Sequence, residues 1–387
     1  MSDELLNSIQ PTLPEGEPPT DRNEAPRRPR LPLFARIFYG LALFCLPLYL
    51  LFLVSPAFAD FFNRYISAIP RWLLAKLTDP IPFSLAEFLL LMLPVFLFLA
   101  VRWGTKHFAD SWRDVGIYCL TVLSLLALLF SIFTLGFASG YRGRKLSQKL
   151  ELTVTEVSAE DLYRTALRLA QRINAESANV AFGSDGFSVM PYDFWEMNNK
   201  LSEAYDKACD TYDFVQRLDS DLKPVMLSGP MSYTHITGIY TFFTGEANLN
   251  MAFPDYTLPY TAAHELSHQR GIAREDEANF MAFLVCAGSS DPYLRYCAYL
   301  NLYDYVIGDL YSADRERYAA VQNTLCSAVR RERIAYGTFF QKYADSVTST
   351  VTGAVNDTYL TLQGTEGAKS YGLVTDLAVA YFRDKSK

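Results

Sequence analysis

Histidine is scarce in this sequence: four occur in 387 residues, His107, His235, His264 and His268. Two of the four stand four positions apart with a glutamate directly after the first, so their spacing is informative. Positive charge is not in excess either. With 35 Lys and Arg against 42 Asp and Glu, the formal net charge is −7, and with no basic stripe this argues against a nucleic-acid partner. The six cysteines (Cys45, Cys119, Cys209, Cys286, Cys297, Cys326) contain no Cys-x-x-Cys pair, and no disulfide framework is implied. Internal repeats and a glycine-rich phosphate loop are lacking. The first apolar run follows a long polar stretch, without a prompt small-residue cleavage site, so a cleavable signal peptide is not expected.

Long apolar runs, by contrast, are present. Residues 34–54, 83–101 and 117–135 are nearly free of charge, and each has the length that crosses a hydrocarbon core as a helix. Three transmembrane helices are expected. Arg36 and Glu87 lie near span ends, where they reach the interface, and Pro47 and Pro94 are candidate kinks. Residues 1–33, rich in Pro, Glu and Arg, read as a disordered tail. Arg22, Arg27, Arg28 and Arg30 in that tail, and Arg102, Lys106 and Arg113 between the second and third spans, favour a cytoplasmic N-terminus; Arg142, Arg144, Lys145 and Lys149 argue the other way. The expected topology is multi-pass, with the C-terminal domain outside the cytoplasmic membrane. Around residues 57–77 an aromatic-rich stretch suits either the membrane interface or a plain connecting helix.

The most informative segment is Tyr260-Thr-Ala-Ala-His264-Glu265-Leu-Ser-His268-Gln-Arg-Gly271. On a helix, residues four apart stand one turn above each other, so His264 and His268 can point two imidazoles at one tetrahedral metal. Glu265 then sits beside the metal as a general base for an attacking water. The plainer alternative is an amphipathic helix whose histidines bond to neighbours. Pro254 and Pro259 punctuate the chain before the helix, and Gly271 can end it.

Catalytic zinc commonly holds three side chains, and the next helix supplies candidates in Glu275-Asp276-Glu277-Ala278-Asn279. Glu275-x-x-Ala278-Asn279 resembles the Glu-x-x-Ala-Asp/Asn signature of gluzincin metallopeptidases. That resemblance implies Glu275 as third ligand and Asn279 as its supporting hydrogen-bonding group. Glu277 remains an alternative ligand, and an acidic helix start that complements the dipole is the structural alternative. Six residues separate His268 from Glu275, fewer than is usual for gluzincins, so the chain must fold straight back at Gly271. The metzincin pattern is not matched, because Arg274 stands where its third histidine would fall.

The remaining chain reads as an α+β, mainly α domain over 140–387, following a membrane module over 34–139. Ser158-Ala-Glu-Asp161 resembles a capping box opening a helix to about residue 176, and a second helix is expected over 193–218. Strands are expected at 225–227 and 239–243. A third, over 244–253, leads to the metal helix; its residues 245–250, as an edge strand, would pair with extended substrate through Gly245 and Asn248, and as an internal strand would not. Helices are expected over 293–310, 313–346 and 371–382. Tyr260, Tyr371 and His235 are candidate oxyanion stabilisers.

The whole arrangement resembles a bacterial membrane-protein family carried as a domain of unknown function, which implies a zincin-like domain with a small sheet behind three spans. The expected function is a membrane-anchored, zinc-dependent metallopeptidase with Zn2+ on His264, His268 and Glu275, acting on a peptide or protein substrate, with envelope-associated substrates among the candidates. The alternatives are a zinc-containing sensor or scaffold that binds an envelope peptide without turnover, and a structural zinc.

Overall fold

The computed structural model describes residues 30–108, 111–344, 346–363, 365 and 373–384. Up to residue 29 the expected tail lies outside them, as does Tyr371. The chain is mainly helical with one three-stranded sheet.

Helices α1 (Leu33–Val54), α4 (Leu85–His107) and α5 (Trp112–Phe133) are long and apolar enough to cross a membrane. Their surfaces expose leucine, phenylalanine and valine almost throughout, as expected of residues that face lipid. Helices α1 and α5 run side by side in the same direction, tied by Tyr39 Oη to Leu120 O (2.7 Å) and by Cys45 Sγ to Ser131 O. Helix α4 meets α5 at the far end, where Tyr118 bonds Ala100 O at 3.0 Å and its ring leaves no room for a side chain at Gly104. Ser84 and Ser111 cap α4 and α5, so the second span begins two residues later than its apolar run.

Between α1 and α4 the chain lies down as α2 (Pro56–Phe61), a π-helical turn (Phe62–Ile66) and α3 (Ala68–Thr78). One side of this segment exposes Phe61, Tyr65, Ile69, Trp72 and Leu77, while Phe62, Arg71 and Ala75 face inward. The third span does not stop at Phe133. It continues through a π-helical turn (Thr134–Ala138) into α6 (Ser139–Arg142), so residue 140 falls within one unbroken helical run.

Short α7 (Leu146–Lys149) leads to α8 (Ala159–Ser177), opened by the reciprocal Ser158 and Asp161 caps. Helix α9 (Phe194–Thr211) ends seven residues earlier than expected, because Tyr212 turns to extended backbone. The sheet consists of β1 (Lys223–Pro224), β2 (Gly238–Thr241) and β3 (Glu246–Leu249), in the order β1-β3-β2. Residues 226–227 are not strand: their N–H groups leave the sheet for the Glu87 carboxylate at 2.8 and 2.7 Å. A one-turn helix, α10 (Ser228–Ser232), separates β1 from β2.

After the sheet come α11 (Leu258–Gln269), α12 (Glu275–Ala287), α13 (Pro292–Ala313), α14 (Arg315–Gln322), α15 (Ser327–Gln341), α16 (Val347–Leu362) and α17 (Leu373–Asp384). Helices α11, α12 and α13 are buried on nearly all sides, wrapped by α8, α9 and α17. This explains their even apolar character, since a helix in the middle of a core has no polar face.

Candidate metal centre

Helix α11 is fixed at both ends before any chemistry is considered. Pro254 opens a 3-10 turn (Asp255–Thr257), and Pro259 occupies the first helical turn. At the other end Gly271 adopts φ 88°, with Gly271 N bonded to His268 O at 2.9 Å and Ile272 N to Ser267 O at 3.1 Å. These two bonds make a Schellman cap, and the positive φ is the reason for glycine. The reversal places α12 against α11 within six residues of His268. Arg270, buried, donates to Leu218 O and stacks over the Tyr205 ring at 4.0 Å, and Tyr205 in turn bonds Ala263 O and Ser267 Oγ. Helix α11 is therefore held from inside the core.

His264, His268 and Glu275 converge, with one ligand atom from each lying within 4.8 Å of the others. Nε2 of His264 stands 2.9 Å from Nε2 of His268, and Glu275 carboxylate oxygens lie 3.1 and 3.5 Å from these two nitrogens. The opposite ring nitrogens are already engaged. His268 Nδ1 donates to Ile272 O at 2.8 Å, and His264 Nδ1 faces Asn279 Oδ1 at 3.0 Å. With each Nδ1 engaged outward, both Nε2 atoms turn inward beside the carboxylate, an arrangement that calls for a shared cation, a metal ion or a proton, between them. The donor set suits a divalent metal such as zinc, as two imidazoles and one carboxylate leave a fourth position open. The same crowding governs protonation. Burial opposes charge on His268, but Glu275 outweighs it and raises the imidazole to about 9; burial opposes charge on Glu275 too, yet the histidines hold it well below its ordinary value.

Glu265, 5 % exposed, lies on the same turn. Burial pushes its carboxyl up, partly offset by the two histidines and by the Tyr240 N–H that faces it. Strand β2 runs against it so closely that a Cβ on Gly238 would stand 2.7 Å from Glu265 Cγ and Oε1. Gly238 is thus glycine because of the neighbouring carboxylate.

The register identifies which strand edge faces the site. Leu249 O bonds Val225 N of the β1 chain, and Thr237 O accepts from Asn250 N. By alternation, Gly238 and Tyr240, opposite Leu249 and Ala247, turn their backbone groups away from β3. They form the outer edge of β2, beside Glu265. The edge-strand role expected of residues 245–250 is corrected here: β3 is the middle strand, paired on both sides. Gly245, at φ 74°, packs its Cα on Leu74 and Ala75 and gives its carbonyl to Gln269 Nε2 at 2.8 Å. The Asn248 amide is buried and donates to Ile239 O and Glu246 O. Both residues shape the sheet and are closed to an incoming strand.

Other candidates separate as clearly. Glu277 accepts from Leu146 N at 2.8 Å and pairs with Arg274, away from the cluster. Tyr260 spends its hydroxyl on Asn279 O, and His235 sets Nε2 2.7 Å from Tyr343 O. Sequence reasoning missed Gly238, the Tyr240 N–H and Phe137. The Phe137 ring, on the turn that follows the third span, meets the His268 ring edge to face with centroids 6.1 Å apart. Only the glycine left a trace in the sequence, as an isolated Gly inside a β-rich run, which signals close approach.

Residues 59–379 match a sequence family described as a protein of unknown function (DUF3810), and the chain belongs to that family. No curated protein and no solved structure matches it.

Proposed function

We propose that this protein is a membrane-anchored, zinc-dependent metallopeptidase, with His264, His268 and Glu275 as metal ligands and Glu265 as general base. The observation that carries this reading is the inward convergence of two Nε2 atoms and one carboxylate, with a second, buried carboxylate on the same helical turn. A zinc ion held there would act as a Lewis acid and make water nucleophilic near neutral pH. Glu265 accepts the proton of the attacking water as the new C–O bond forms, and delivers it to the amine nitrogen as the C–N bond breaks. Burial, which raises its pKa, suits it to both steps. Asn279 and the Ile272 carbonyl orient the two imidazoles. The outer edge of β2 offers Gly238 and Tyr240 backbone groups to an extended peptide, a grip that needs no particular side chains.

Arg102 and Lys106, near the end of α4, and Arg113, at the start of α5, lie at the end of the spans away from the domain. This supports a cytoplasmic loop and an extracytoplasmic site, which reporter fusions at residue 108 would test. A second reading, a zinc-holding sensor without turnover, draws on the contact between Phe137 and His268, which joins a span to the site. The two separate with Glu265→Gln in the full-length protein. Retained zinc together with loss of peptide hydrolysis by at least a hundredfold supports the peptidase. Stoichiometric zinc in a wild type that hydrolyses nothing supports the sensor.

A further inference from the structure

Resting on the peptidase reading, the position of the metal centre relative to the spans narrows the substrate class. The apolar run of the third span ends at about residue 135. Phe137 lies two residues on, about 3 Å by helical rise, and the His268 ring is a further 6.1 Å away. The site thus stands no more than about 9 Å from the end of that run, about three residues of extended chain.

The contacts around the β2 edge belong to the same helix. Tyr240 packs on Phe137 with centroids 5.2 Å apart, and Phe242 packs on Phe133 at 5.4 Å. The strand proposed to grip a peptide therefore rests on the end of a span.

Two further surfaces near the spans are apolar and exposed. One is the exposed apolar side of α2 and α3, with Phe61, Tyr65, Ile69, Trp72 and Leu77. The other is α16, where Val347, Val351, Val355 and Leu362 are 79, 59, 66 and 70 % exposed. At 100° per residue these four fall within about 80° of arc, and Tyr359 lies about 40° outside it. Tyr359 packs on Phe133 and bonds Tyr141, while Arg142 donates to Leu362 O and Tyr49 reaches Gln363. The C-terminal end of α16 is therefore tied to the spans, and lipid is the natural cover for its exposed apolar arc.

We propose that the enzyme takes its substrate from the membrane: a polypeptide anchored in the bilayer, cut within about ten residues of the surface on the domain side. A peptide leaving the bilayer between the α5 end and α16 meets β2 and the metal centre first.

The test uses the full-length protein, zinc-loaded and reconstituted in phosphatidylethanolamine and phosphatidylglycerol vesicles. Three preparations of one randomised peptide library serve as probes: free, tethered to a diacyl anchor through about 4 Gly/Ser residues, and tethered through about 30. Both tethers raise local concentration alike, so the comparison isolates distance from the bilayer. The expected result is at least tenfold faster cleavage with the short tether than with the long one, and slower still for the free library. Equal rates for short and long tethers overturn the membrane-substrate proposal and leave the peptidase reading standing. If no probe is cut although zinc is bound, the peptidase reading falls, and this inference with it.

Discussion

The ring of Phe137 meets the ring of His268 at an interplanar angle of 80°, with centroids 6.1 Å apart. One belongs to the helical run of the third span and the other to the cluster of two histidines and a glutamate, so span and site share a wall. Phe137→Ala removes that wall. A buried Phe→Ala change costs about 3–5 kcal/mol, and His268 loses the surface that fixes its ring. The expected outcome is a lower Tm in detergent and faster loss of zinc to a chelator than in wild type.

Glu275 and Glu277 are two residues apart and do different work. Glu275→Ala is expected to abolish zinc binding. Glu277→Ala leaves zinc in place but strands the Leu146 N–H in the interior, at a cost of about 1–3 kcal/mol. Elemental analysis and thermal unfolding of both variants decide this. Loss of zinc from Glu277→Ala alone would reverse the ligand assignment.

Gly238→Ala inserts a methyl group where Glu265 Cγ lies 2.7 Å and Thr261 Cγ2 2.9 Å away. The carboxylate must shift by a few tenths of an ångström or more. Displacement of a catalytic group on this scale reduces turnover by roughly tenfold to a hundredfold. Full zinc content with reduced kcat is the expected signature; unchanged kcat would show that the general base tolerates the shift.

Asp60 ties α2 to the segment after the third span. Burial works against its charge, but Arg144 and Lys149 more than offset this and hold its carboxyl below the ordinary value. A carboxylate with a lowered folded pKa stabilises fully above its unfolded value and loses that contribution as pH falls through the folded one. The Tm gap between wild type and Asp60→Asn should therefore be constant from pH 5 to 8 and close below about pH 4.

Several elements are plain in the sequence because their signals are local. The three apolar runs, the Ser158 capping box and the glycine that ends α11 each depend on a few neighbouring residues. The pairing of His264 with His268 follows from helix spacing, whereas Glu275 is implied only by the resemblance to the gluzincin signature, with Glu277 open beside it, because the fold-back of α12 on α11 is not a local signal. Strand order is different in kind. That β2 and not β3 lies at the edge depends on β1 arriving from residue 223 to pair with β3, a contact no window of sequence contains. Arg71 is hidden in the same way. It lies in the aromatic-rich stretch 57–77, next to Trp72, yet it is 2 % exposed and bonds Asn63, Gly136 O and Gln216. Its guanidinium lies against Gly271, so it fills the space under the turn that sets Glu275.

The carboxylate of Glu246, at the start of β3, accepts from Leu85 N and Ala86 N at 3.0 Å each. These are amides at the amino end of α4, and such groups need partners wherever water is excluded. A ribosome delivers Leu85 about 160 residues before Glu246, at 5–20 residues per second, an interval of roughly ten to thirty seconds. During that time the start of this span must be held by water or lipid headgroups. Its final seating awaits the sheet, so maturation of the membrane part is timed by translation of the part outside it.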